Sequence, residues 1–192
     1  MPIVYGEKVE EEAVIEATKL MAVSARTAPK TRGVDRITTA MVMGEEKEQL
    51  ALATEKKADR FVDERWKRSF KRDAENVSRS RAVLLVGVKG TIPPKPERPI
   101  DCGACGYPNC AAFIRAKKKT GNDFTGPLCV FEVLNLGIAL GSAVKTASGL
   151  NVDNRIMYTV GAAAKALRLL DADLIIGVPV SATGKNIYFD RK

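Results

Sequence analysis

The spacing of apolar and polar residues changes character several times along the chain. Over 7–25, Val9, Ala13, Ile15, Ala17, Leu20 and Met21 recur at mostly helical spacing among Glu and Lys, with acid near the start. That pattern predicts an amphipathic helix. The stretch 26–36, RTAPKTRGVDR, interrupts it with Pro, Gly and four cationic side chains, and predicts a loop. ITTAMVMG at 37–44 is β-prone. Residues 45–80 are charged and helical in pattern, with one or two breaks. AVLLVGV at 82–88 is a short continuous apolar run, as expected of a strand buried on both faces. Pro93, Pro94, Pro96 and Pro99 make 89–100 an extended connector. A helix is predicted from Cys110, capped by Asn109, as far as Gly121. A buried helix near 131–149 follows, then a second near 154–169 capped by Asp153 or Asn154, then a buried strand over 171–180. Strands and helices alternate, so the class is α/β or α+β around a central sheet.

Composition narrows the setting. The 192 residues suffice for one well-buried domain with a small insertion. Hydrophobic residues make up 45% and charged residues 28%, a globular balance. The opening residues turn acidic before any apolar core appears, so no secretory leader is predicted. The apolar stretch 131–150 carries Glu132 and Lys145 and reads as a core helix, with no membrane span predicted. A cytoplasmic location, where thiols stay reduced, is the expectation.

Formal net charge is +8 and the isoelectric point is near 9.4, which suits a nucleic acid, an anionic cofactor or an acidic redox partner. The charges are dispersed, and 59–81 mixes both signs along one predicted helix, as a solvated face does. No recognisable nucleic-acid motif is present, so nucleic acid is the least favoured of these partners. The chain has no histidine, which excludes Ser-His-Asp and Cys-His nucleophile systems, HExxH zinc sites and Rieske clusters. Any catalysis must then run on a cofactor, or on Lys, Arg, carboxylates and Tyr, and no catalytic residue is identified.

All four cysteines lie between 102 and 129, as Cys102-x2-Cys105-x4-Cys110-x18-Cys129. Disulfides, structural zinc and an iron–sulfur cluster are the three readings. A reducing cytosol disfavours disulfides. Structural zinc usually shows two CxxC pairs, and only one is present. Three grouped thiols and one distant thiol suit an iron–sulfur cluster. Gly103 and Gly106 each follow a cysteine, where a chain wrapping a bulky anion needs close backbone approach. A helix starting at Cys110 would place that thiol at a positive dipole end, with Phe113 and Ile114 facing the cluster. Arg115, Lys117, Lys118 and Lys119 would occupy its last turns, either as a solvated tip or as a docking patch for an acidic electron carrier. Between its first and last thiols, the segment has too few large apolar residues for its own core.

The run CGACGYPNCAAF with a later LC resembles the four-cysteine ferredoxin-type domain of the corrinoid iron–sulfur protein and of Rnf-type electron-transport subunits. That resemblance implies one [4Fe–4S] cluster on Cys102, Cys105, Cys110 and Cys129. Over the whole chain, ARTAPKTRGVDRI, NLGIALGSAVKTASGLNVDNRIMY and DLIIGVPVSATGKNIYFDR resemble a family of uncharacterised proteins described as containing a ferredoxin domain. AVSARTAPKTRGVDRITTAMV and the later stretch are also similar to the flavin nitroreductases, which implies an α+β sandwich, a homodimer and FMN. The phosphate-binding Arg-Arg-Ser-x-Arg opening of that family is missing. Arg26, Lys30 and Arg32, with Lys185 later, are the residues the resemblance offers to a flavin phosphate.

The expectation is therefore a nitroreductase-like α+β core, 1–89 and 131–192, carrying an inserted four-cysteine segment, 90–130. Its function would be electron transfer with a redox partner protein, with a flavin-linked oxidoreductase as an extension. The alternative is a non-enzymatic binding module whose cluster or zinc is only structural.

Overall fold

In the computed structural model, which describes residues 3–189, one sheet lies between two helical layers. Helix α1, Gly6–Thr27, puts Val14, Ala17, Thr18, Met21 and Ala25 on its buried face at three- and four-residue steps. It stops at Ala28, which Pro29 forces out of the helical region. A short 3-10 turn, Thr31–Gly33, leads into strand β1, Ile37–Val42. Helix α2, Gly44–Lys56, and helix α3, Glu64–Arg79, are separated by a 3-10 turn at Lys57–Arg60. Asp63 caps α3, its carboxylate accepting from the Arg65 N–H. The charged region thus breaks once, at 57–63.

Strand β2, Ala82–Val88, is buried at every position. It pairs antiparallel with β1 on one side and with β6, Leu174–Ser181, on the other. The sheet order is β1-β2-β6-β5, where β5 is the two-residue edge strand Asp153–Asn154. Leu84, Val86 and Val88 face α1 and helix α5, Val130–Gly149. Val83 and Leu85 face α2, α3 and helix α6, Tyr158–Ala166. Two apolar layers therefore sandwich β2, which accounts for its uninterrupted hydrophobic run.

Helix α5 is the one helix among the described residues long and apolar enough to cross a membrane. It buries Leu136, Ala139, Leu140, Ala143 and Ala147 against α1 and the sheet.

Two expected helices differ. The second late helix begins at Tyr158, and Asp153 and Asn154 are strand residues paired with Ser181 and Val180. Pairing with β6 uses the backbone that a helix starting there would need. The helix from Cys110 is short: α4 covers Cys110–Arg115 and ends at Ala116, well before Gly121. Lys119–Thr120 and Thr125–Gly126 form a small hairpin, β3 and β4.

Candidate metal centre

Between β2 and α5 the chain makes an excursion with almost no core of its own. From Lys95 to Leu128, Phe113 is the one buried residue. The extended Pro-rich strap carries Pro93 and Pro94, both buried, to a bend at Asp101, which has a positive φ of 52°. Asp101 Oδ1 accepts from the Cys110 N–H at 2.7 Å, and Asn109 Oδ1 accepts from the Ala112 N–H at 2.8 Å. Gly103 and Gly106 adopt φ of 70° and 85°, values that cost a residue with a Cβ about 1–2 kcal/mol. The Gly106 N–H closes a tight turn on the Gly103 carbonyl at 2.9 Å. At the far end, the Cys129 N–H donates to Gly90 O at 2.8 Å and ties the start of α5 to the foot of the strap.

Cys102, Cys105, Cys110 and Cys129 all line one cavity, with Pro93, Pro94, Ile100, Phe113, Val130 and Phe131 as its apolar wall. The space between them is narrow: about 380 Å³ is free of atoms, open solvent included, and about 10 Å³ of it admits a water-sized sphere. All four thiols are free. Their burial is graded: Cys129 is buried, Cys105 and Cys110 are half-buried, and Cys102 is exposed. Among the described residues, no three Cys, Asp or Glu side chains converge tightly enough for a single metal ion. The thiols ring the space without meeting at a point.

Burial pushes the Cys129 thiol up, and the backbone N–H groups of Glu132 and Phe131, at the start of α5, only partly oppose this. These amides belong to the first turn of the 20-residue α5, so the dipole that matters is that of α5. The six-residue α4 supplies little. Phe113 faces inward, but Ile114 is 41% exposed and turns away, contrary to the sequence expectation. Lys118 is not in a solvated tip either. Its Nζ sits 3.9 Å above the Phe113 ring and donates to the Phe113 carbonyl. Burial lowers its pKa, partly opposed by the charges of Cys105 and Asp173.

Two carboxylates that the sequence reading passed over hold the excursion to the core. Asp173 Oδ2 accepts from the Thr91 N–H at 3.0 Å and from its hydroxyl at 2.8 Å. Asp123 accepts two bonds of 2.6 Å from Arg60, one of 2.9 Å from Lys57 and one from the Tyr158 hydroxyl. A third polar group is buried on α5, three residues after Cys129. Glu132, fully buried, accepts from Asn135 Nδ2 at 3.0 Å, and Asn135 Oδ1 accepts from the N–H and hydroxyl of Thr31. Arg36 Nε faces Glu132 Oε1 at 3.2 Å without hydrogen-bond alignment, so both atoms lack a bonded partner. Burial raises the Glu132 pKa. A Glu and an Asn three residues apart on the buried stripe of an apolar helix was the available sequence signal.

Of the residues suggested for a flavin phosphate, Arg26 and Lys30 lie together beside Asp35. Arg26 pairs with Asp35 at 2.8 Å. Lys30 has a side chain only 7% exposed, and its Nζ bonds the carbonyls of Ala25, Arg26 and Ala28. Those bonds satisfy the open end of α1. Lys185 is exposed on the turn after β6.

A family model described as an uncharacterised protein containing a ferredoxin domain matches residues 125–191, and one described as an Fe–S cluster matches residues 100–121. An uncharacterised protein of Archaeoglobus fulgidus is 47% identical over 184 residues, covering 95% of this chain and 94% of its own. The fold is similar to that of a nitroreductase with bound FMN from Desulfitobacterium hafniense, with a TM-score of 0.56, 14% identity, and coverage of 88% and 78% of the two chains. It is also similar to a nitroreductase-like family protein from Bacillus cereus, with a TM-score of 0.53, 11% identity, and coverage of 93% and 77%. The α+β sandwich is thus nitroreductase-like, and the stretch around the first three cysteines has the sequence of an Fe–S segment.

Proposed function

The chain belongs to the family of uncharacterised proteins that contain a ferredoxin domain, and on that footing we propose that it is an electron-transfer protein. Cys102, Cys105, Cys110 and Cys129 would hold one [4Fe–4S] cluster. The observation that carries this reading is the cavity itself: three thiols of one short stretch and a fourth at the start of α5 line one apolar-walled space. One CxxC pair, a third cysteine close by and a fourth 19 residues on suit such a cluster better than structural zinc, whose all-cysteine sites usually show two CxxC pairs.

When bound, the cluster supplies one-electron redox chemistry. The chain's residues do the rest. Gly103 and Gly106 let the backbone approach closely. The first amides of α5 offset part of the burial that raises the Cys129 thiol. Pro93, Pro94, Ile100 and Phe113 keep water from the inner side, and the exposed Cys102 leaves one edge open to a partner. Residues 90–130 then act as an insertion that the cluster itself consolidates, because the segment has a single buried side chain of its own between Lys95 and Leu128.

The fold likeness raises FMN as a second cofactor. Of the residues offered to its phosphate, Lys30 is engaged by main-chain carbonyls and Arg26 by Asp35, while Arg32 and Lys185 are exposed; no step is assigned to flavin.

Anaerobic purification followed by iron, sulfide and absorption measurements tests the proposal. Four irons and four sulfides per chain with a broad visible shoulder are expected. A colourless protein holding zinc refutes it, and twin flavin bands would restore the FMN reading.

A further inference from the structure

Net charge is concentrated around the candidate cluster site. Residues 95–120 contain six cations and two anions, a net of +4, half of the chain's +8. Lys118 is withdrawn over Phe113, but Arg98, Arg115, Lys117 and Lys119 are exposed. The tertiary fold adds Arg32, also exposed, which donates to the Arg98 carbonyl from the loop after α1. One of the two anions, Asp101, turns its carboxylate back to the Cys110 N–H.

Several cations elsewhere are paired: Arg26 with Asp35, Lys57 and Arg60 with Asp123, Arg81 with Glu11, Lys89 with Asp171. Among the described residues, Arg32, Arg98, Arg115, Lys117 and Lys119 form no ion pair. An ordinary solvated face intersperses the two signs, as this chain does on α3. In the segment with the exposed thiol Cys102, the exposed cations Arg98, Arg115, Lys117 and Lys119 outnumber the exposed carboxylates Glu97 and Asp101. Its aromatic rings are not offered to a nucleobase: Tyr107 packs edge-on against Phe113, and Phe124 against Tyr158.

We propose that this rim is the docking surface for an acidic one-electron carrier protein, seated over the Cys102 edge of the cluster. This deepens the cluster reading above and rests on it. Unpaired cations steer such a partner and orient it, acting on the rate of encounter more than on affinity. One electron moves per encounter, from the reduced carrier to the oxidised cluster or back, and no atom is transferred.

The test is stopped-flow electron transfer from a reduced flavodoxin, used as an acidic carrier, to the cluster-loaded full chain. Reduced methyl viologen, a small cationic reductant, is the parallel probe. The flavodoxin rate should fall steeply with rising ionic strength. In the Lys117→Glu/Lys119→Glu double variant it should drop about tenfold or more at low salt, and its salt dependence should flatten. The viologen rate should not fall, and iron content should be unchanged. A flavodoxin rate blind to salt in the iron-loaded wild-type chain overturns the docking surface and leaves the cluster reading standing. An equal loss with viologen overturns it too, because the substitutions then act on the cluster. Binding of a DNA duplex that the double variant abolishes assigns the rim to a different partner. Wild-type protein without iron overturns the underlying cluster reading itself.

Discussion

Asp123 is the most heavily bonded tie between the cysteine segment and the helical layer, and Asp123→Asn measures its worth. The carboxylate is only 10% exposed and takes bonds from Arg60, Lys57 and Tyr158. Burial by itself pushes its pKa up, but the bonds from Arg60, Tyr158 and Lys57 outweigh this and hold it at about 2, against an ordinary 3.8. That difference corresponds to about 2 kcal/mol of stability at neutral pH. A depressed carboxyl stabilises above its unfolded pKa and stops doing so as pH falls through the folded value. The contribution is therefore whole above about pH 5, about 1 kcal/mol is gone by pH 3, and most is gone near pH 2. Asp123→Asn also leaves Arg60 and Lys57 without their anion, with side chains 26% and 15% exposed. The expected loss at pH 7 is about 2–3 kcal/mol, below the full cost of stranding a buried charge because these cations retain some solvent. Urea unfolding of both proteins, followed by far-ultraviolet circular dichroism at pH 7, 4 and 3, gives the difference directly. It should shrink by about 1 kcal/mol between pH 7 and pH 3. A difference constant with pH, or below about 0.5 kcal/mol at pH 7, refutes the assignment of this carboxylate as a charged anchor.

Three further substitutions bear on the site and the fold. Cys110→Ser should lower iron per chain and the visible absorption while leaving far-ultraviolet dichroism of the core nearly intact; loss of the whole dichroism signal would show that the segment is integral to the core. Phe113→Ala removes a side chain 1% exposed from the cavity wall, and should cost about 3–5 kcal/mol and speed aerobic bleaching of the visible band. Unchanged bleaching would show that Phe113 does not exclude water or oxygen. Gly161→Ala should lower the melting temperature by about 6–12 °C, because the added Cβ would meet Ile175 O at 1.9 Å where α6 lies directly on β6. A melting temperature within about 2 °C of wild type would refute that packing.

The sequence by itself determined the elements whose pattern is enforced by burial. Strand β2 matches its predicted bounds of 82–88, since a run apolar at every position fits only a strand covered on both faces. Helices α1 and α5 lie within a few residues of their expected ends, because their apolar spacing has no other stable use. The four cysteines were legible for a related reason: thiols are rare here, and all fall within one short window. Tertiary structure decided the rest. Asp153 and Asn154 cap helices well in isolation, yet pairing with β6 made them an edge strand. Lys118 suited a solvated tip until the Phe113 ring and carbonyl drew it inward. Asp123 and Asp173 look like any loop carboxylates, and only the fold brings Arg60, Tyr158 and Thr91 to them. Periodicity records which face a residue buries, and that is a local property. Partners tens of residues apart are chosen by the packing of whole layers, and no local pattern encodes that choice.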